Sequence, residues 1–308
     1  MDASLPSWVK EVVEQYEQRR LTRREALRRI AAATGRMALA SGILAACTPT
    51  AQPTAPQAPA AAPPPPSPTS APPPPAPTPA AEARAVEFPS EAAPILAYLA
   101  RPAGVGPFPA VLVCPENDGL REHFKDVARR LSGEGYVGLA VDPLSREGGT
   151  GKVLPEQLRG IMFGPLDRHI QDFQAALRHL QTLSYVRRDR IGMMGFCVGG
   201  QITWLMAART PDLRAAVPFY GASPPPEEVA GIRAPVLGLY GETDRFINPG
   251  IPAIEAAMAQ HGKTFEKEIY PGAGHSFFQD DKPQAYHAET ARAAWARTLA
   301  WFEKYLKA

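Results

Sequence analysis

The chain has 308 residues and a formal net charge of +2, and 45% of its side chains are hydrophobic. Residues 1–47 hold 8 of the 33 Lys/Arg and 5 of the 31 Asp/Glu, so the remainder carries 25 basic and 26 acidic side chains. That neutral balance gives no basic surface for nucleic acid. Three cysteines (Cys47, Cys114, Cys197) at unrelated spacings form neither a disulfide framework nor a zinc motif.

Residues 1–47 read as an export signal. A charged amphipathic lead-in is followed by Arg23-Arg24, which resembles a twin-arginine signal. The apolar run Met37–Ala46 follows, too short to span a bilayer. Leu44-Ala45-Ala46-Cys47 resembles a bacterial lipobox, which predicts lipidation at Cys47, a membrane anchor and a location on the outer face of the cell membrane. The plainer alternative is a basic amphipathic helix with a chance cysteine.

Residues 48–84 are Ala, Pro, Thr and Ser almost throughout, with 15 prolines between Thr48 and Ala80. No apolar side chain larger than alanine or proline is available there to bury, so a disordered linker is expected. Polyproline II at ~3.1 Å per residue would let it reach on the order of 100 Å, which suits a tether. A Pro-rich ligand for a partner domain is the alternative.

Residues 85–308 are long enough for a single α/β core. Arg84–Phe88 and Ile95–Arg101 read as an edge hairpin, and Ala110–Cys114 as a strand covered on both faces. Glu122–Leu131 has helical spacing, Tyr136–Val141 is a further buried strand, and a Gly-rich loop runs on to about Gly164. Leu166–Leu183 is a long amphipathic helix. A strand over Arg190–Phe196 then turns abruptly into a helix. Ala215–Tyr220, Val236–Tyr240 and Phe265–Tyr270 are further strands, with helices at Ile251–Gln260 and Gln284–Leu306. This alternation predicts a mostly parallel, doubly wound sheet with helices on both faces, its ligand cleft beyond the C-terminal strand ends.

Gly195-Phe196-Cys197-Val198-Gly199 fits the nucleophile-elbow pattern with cysteine in the central place. The flanking glycines let a strand reverse into a helix within one or two residues, and the helix N-terminus favours a thiolate. A small buried cysteine at a tight turn is the plain alternative. A cysteine nucleophile needs a base and a group to orient it. His275, in a glycine-rich loop after the last strand, and Asp244, just past the strand ending at Tyr240, supply both in the chain order of α/β-hydrolases. Taken singly, His275 could be a solvated loop residue and Asp244 a helix cap. The other histidines fall on predicted helices.

At these residues the body resembles the dienelactone hydrolase family, the cysteine-using branch of the α/β-hydrolases. The resemblance rests on Ile95–Gly104, Glu116–Leu120, Gly195–Gly200, Gly241–Asp244 and Gly274–Phe277 and covers essentially all of 85–308. It implies Cys197 as nucleophile, Asp244 as acid and His275 as base. It implies Glu116 as a carboxylate that contacts the resting thiol, and the amides of Val198 and Asn117 as oxyanion hole. Without the family, Glu116 is equally a solvated loop charge. One position departs: where the family holds a substrate carboxylate with an arginine four residues after the histidine, this chain has Gln279. Arg146 and Arg159 are the candidates to take over that contact.

These residues point to hydrolysis of a lactone or activated ester, as by a carboxymethylenebutenolidase, through a thioacyl-enzyme. No metal or organic cofactor is implied, and a monomer is expected. The alternatives are a broad carboxylesterase or thioesterase of this fold and a non-catalytic, membrane-tethered binding protein. A Cys114–Cys197 bridge would silence the enzyme, but it requires the two Cα atoms to come within about 7 Å.

Overall fold

The structure is a computed structural model that describes residues 82–308. The expected export signal, the lipidation site Cys47 and nearly all of the expected linker lie outside the described residues. Residues 82–84, expected at the linker's end, belong instead to the first strand.

Eight strands form one sheet in the order β1-β2-β4-β3-β5-β6-β7-β8. These are β1 (Glu82–Phe88), β2 (Ile95–Arg101), β3 (Phe108–Cys114), β4 (Val137–Val141), β5 (Val186–Phe196), β6 (Ala215–Phe219), β7 (Val236–Gly241) and β8 (Phe265–Tyr270). β1 and β2 pair antiparallel, as does β2 with β4, and all remaining pairings are parallel. The helices are α1 (Glu122–Gly133), α2 (Pro155–Met162), α3 (Asp167–Thr182), α4 (Val198–Arg209), α5 (Ile251–Gln260) and α6 (Ala288–Phe302).

Two hydrophobic layers show that the sheet is covered on both faces. Side chains alternate along each strand, so Ala110, Leu112 and Cys114 of β3 face one layer with α3, α4 and α5. Val111 and Val113 face the other, with α1 and α6. A sheet buried on both sides needs near-continuous apolar strands, which is what β3, β4, β6 and β7 supply.

The connections place the cleft. From β3 the chain passes through α1 to β4 on one side; from β4 it crosses back through α3 to β5 on the other. The strand order therefore diverges between β3 and β5, and their C-terminal ends bound a crevice of the kind open α/β sheets use for ligands. The segment Pro115–Arg121 follows β3 there, and Cys197 follows β5.

The sequence-based element bounds differ in places. The Gly-rich loop after β4 contains a helix, α2, whose short length and largely exposed surface left little apolar periodicity. The last helix begins at Ala288 rather than Gln284, because the His287 ring caps it by accepting a hydrogen bond from the Thr290 amide. Among the described residues, no helix is long and apolar enough to cross a membrane.

Candidate active site

The turn from β5 into α4 is possible only with glycine beside Cys197. A Cβ on Gly195 would lie 2.2 Å from the Gly199 carbonyl oxygen, and one on Gly199 would lie 2.2 Å from that of Pro115. Both distances are far inside van der Waals contact. Cys197 itself adopts φ 55°, ψ −118°, a conformation that strains any residue with a side chain by about 1–3 kcal/mol. Its amide is tied down by donating to the Phe219 carbonyl at 3.1 Å, and Cys197 is half-buried.

The same close approach packs two segments together. Gly199 abuts the Cys114 and Pro115 carbonyls, so the first turn of α4 sits against the start of the 115–121 segment. Val198 is the first residue of α4, and its amide has no intrahelical acceptor. Asn117 lies in the turn that the Gly119 amide closes on the Glu116 carbonyl.

His275 and Asp244 come from two loops stitched together by backbone. The Thr243 amide and hydroxyl both donate to the Ala273 carbonyl, at 2.9 and 3.0 Å. Asp244 is buried, and its Oδ1 accepts from the Phe246 and Ile247 amides at 3.0 and 3.2 Å. Its Oδ2 lies 2.6 Å from His275 Nδ1. Burial penalises the Asp244 anion, but the His275 hydrogen bond, its charge and the two amides outweigh this and hold the carboxyl below its usual range. For His275, burial alone would lower the pKa. The bond to Asp244 and the Cys197 sulfur beside the ring overcome that and push it up to about 10. The structure thus brings Cys197, His275 and Asp244 into one constellation, an imidazole between a carboxylate and a sulfur.

Glu116 is buried beside this group, but it contacts neighbours other than the thiol. Its Oε1 accepts from the Ser276 hydroxyl at 3.0 Å and its Oε2 from Lys282 Nζ at 3.0 Å. Lys282 also pairs with Asp118 at 2.8 Å. Burial opposes the Lys282 charge, and the two carboxylates more than restore it. Tyr220 packs its ring against His275, centroids 5.0 Å apart, with its hydroxyl fully buried. Burial, and then the Glu116 charge, raise the Tyr220 pKa well above the ordinary phenol value.

Arg146 and Arg159, expected as substrate-binding cations, are engaged elsewhere. Arg146 forms an ion pair with the buried Asp172 at 2.9 Å and donates to the Arg168 carbonyl at 3.0 Å. The Arg159 guanidinium lies over the Phe163 ring. Gln279 is buried and accepts from Arg121 through Oε1. The position expected to hold a carboxylate-binding arginine is therefore a neutral amide fixed from behind. Cys114 and Cys197 are both free thiols. Sequence reasoning missed Tyr220 and Lys282. Tyr220 ends an apolar strand and looked like core; Lys282 sits in an irregular segment with no periodicity to place it.

The description "Dienelactone hydrolase family" matches residues 95–306. A protein of Methylorubrum extorquens named "Putative carboxymethylenebutenolidase" is 37% identical over 237 residues, covering 71% of this chain and 80% of that one. A "Probable 2-oxo-3-(5-oxofuran-2-ylidene)propanoate lactonase" of Bradyrhizobium is 38% identical over 224 residues, covering 68% and 90%. Among solved structures, a "Putative Dienelactone Hydrolase" from Klebsiella pneumoniae is 34% identical with a TM-score of 0.67, covering 73% of this chain and 99% of that one. With the doubly wound sheet and the elbow in place, these matches settle the family: the chain belongs to the dienelactone hydrolases.

Proposed function

We propose that the protein hydrolyses a lactone or activated ester through a thioacyl-enzyme formed on Cys197. The general class, a carboxylic ester hydrolase, goes with the family. The residue roles rest on the geometry of this chain, above all the 2.6 Å contact between Asp244 and His275 beside Cys197.

The Cys197 thiolate attacks the carbonyl carbon, a C–S bond forms, and the carbonyl electron pair moves to oxygen. The Val198 and Asn117 amides stabilise that oxyanion, a contribution of about 3–4 kcal/mol per donor in acyl-transfer sites. The C–O bond then breaks, and His275 gives its proton to the departing enolate or alkoxide, which in a lactone remains tethered to the acyl group. Water attacks the thioester and passes a proton to His275. The thiolate leaves, and the carboxylic acid is released. Asp244 accepts the His275 Nδ1–H throughout and fixes the ring. Glu116, bonded to Ser276 and Lys282 in this resting arrangement, acts on the thiol only after those bonds rearrange. A thiolate suits good leaving groups such as enolates.

Replacing Cys197 by Ala tests this reading: hydrolysis of small activated esters and unsaturated lactones should be lost, and retained turnover would refute it. The neutral, buried Gln279 favours a second reading, a broader esterase or thioesterase without a carboxylate requirement. A panel of lactones, open-chain esters and thioesters separates the two.

We also propose that residues 1–47 export the chain, that Cys47 is lipidated, and that the linker, ending before the first strand at Glu82, tethers a monomeric hydrolase to the outer face of the cell membrane. The order of Arg23-Arg24, the apolar run and Leu44-Ala45-Ala46-Cys47 supports this. Radiolabelled palmitate should enter the wild type and not Cys47→Ala, and the variant should leave the membrane fraction.

A further inference from the structure

Seventeen residues, 271–287, join β8 to α6 without a helix or strand, and His275 lies within them. Its first half is held by the β7 loop through Thr243 and Asp244. Its second half is held by α1 and the residue before it. Arg121 pairs with Asp281 and donates to Gln279, and Arg130 Nη2 lies 2.5 Å from Asp280 Oδ2. His123 Nδ1 lies 2.6 Å from Asp280 Oδ1.

His123 stands apart in this group because its side chain is fully buried and its ring touches both halves of the catalytic machinery. The ring centroid is 6.5 Å from that of Phe196, the residue before Cys197, and 5.9 Å from that of Phe278, three residues after His275. The Phe124 ring closes the pocket at 5.0 Å, and Phe196 stacks on Phe278 at 5.3 Å. His123, Asp280 and Asp281 lie close enough together to offer ligands to a cation, but Asp281 pairs with Arg121 and Asp280 with Arg130.

Building on the reaction proposed above, we propose that His123 is a positioning residue. Its bond to Asp280 and its ring between Phe196 and Phe278 fix the segment bearing His275 against the strand bearing Cys197. A leucine would fill this volume, but only a directional hydrogen bond to Asp280 sets where the segment sits. Thiolate-to-imidazole geometry is sensitive to such placement: a 1 Å error can cost about 10²-fold in rate.

The test compares His123→Phe, which keeps the aromatic volume and removes the hydrogen bond, with His123→Asn, whose amide can donate again to Asp280. Asp280→Ala breaks the pair from the other side. Each full-length variant is assayed below its melting temperature for kcat and KM on a small activated ester. The rate of Cys197 alkylation by iodoacetamide near neutral pH is measured alongside. His123→Phe and Asp280→Ala should each lower kcat about tenfold or more, leave KM within about threefold and slow alkylation. His123→Asn should recover most of the loss, and the His123→Phe/Asp280→Ala double should be no worse than the poorer single. A folded His123→Phe with kcat and alkylation within about twofold of wild type overturns the proposal, as does equal loss in the Asn variant. The alkylation arm needs no substrate, so it still reads out if Cys197→Ala shows that the reaction itself was misassigned.

Discussion

Lys282 Nζ sits 3.0 Å from Glu116 Oε2, so this buried carboxylate is paired with a cation. Glu116 is almost fully buried, whereas the Lys282 side chain is 23% exposed. Removing the lysine leaves a buried charge without its counter-ion.

Lys282→Met should therefore destabilise the fold by about 1–3 kcal/mol, below the range for fully buried pairs because water reaches the lysine. Adding Glu116→Gln should recover part of that loss. Urea unfolding of both singles and the double measures the coupling, and strict additivity would show that the pair carries no weight.

The strained corner at Cys197 makes an opposite prediction for its own side chain. Cys197→Gly should be more stable than Cys197→Ala by about 1 kcal/mol or more, because glycine adopts φ 55° without penalty. Both variants lack the sulfur, so the comparison isolates the backbone. By contrast Gly199→Ala drives a Cβ into the Pro115 carbonyl. It should cost about 1–3 kcal/mol or more and also displace the turn bearing Asn117. Thermal melts with activity on the soluble fraction check both.

Stability should vary with pH through His275 and Asp244. His275, lifted from 6.5 to about 10 in the fold, contributes stability that is complete below about pH 6.5 and is lost as pH rises through about 10. Asp244, held below its usual range, contributes above about pH 3.9 and loses that contribution as the pH falls through its depressed value. The gap in unfolding free energy between wild type and His275→Ala should thus be widest near pH 6 and narrow toward pH 10. A gap constant across that range contradicts the assignment.

Asp142 organises the approach to the cleft. This buried carboxylate follows β4 and accepts from the Leu144 amide at 3.0 Å and from the Thr150 amide and hydroxyl, both at 2.7 Å. The Thr150 hydroxyl oxygen in turn accepts from the Leu120 amide at 2.8 Å, linking this loop to the one bearing Glu116. Asp142→Ala should cost about 1–3 kcal/mol and increase hydrogen exchange at both Thr150 and Leu120. Exchange raised at Thr150 alone would show that the two loops are not coupled.

Local chemistry explains what the sequence reveals. The strands β3, β4, β6 and β7 announce themselves as unbroken apolar runs because both faces are covered. Gly195, Cys197 and Gly199 are legible because a strand-to-helix reversal admits no other flanking residue. Contacts made across more than a hundred residues leave no local trace. Lys282 on Glu116, 166 residues apart, and His123 on Asp280, 157 apart, both join an irregular segment to a distant element. Arg146 differs: its partner Asp172 is only 26 residues away, but on a helix whose amphipathic pattern gives no sign of which loop residue it meets.

Cys114 closes the strand beside the elbow, its Cα in register with Gly195. Its thiol is fully buried, and burial raises its pKa well above the ordinary thiol value. Within residues 82–308 the protein therefore carries two sulfurs that answer on different clocks. An electrophile meets Cys197 in the native state, and it meets Cys114 only when the central strands part. Mass-spectrometric mapping of the label over time would count turnover-competent molecules at the first position and record rare global opening at the second, with no probe added to the chain.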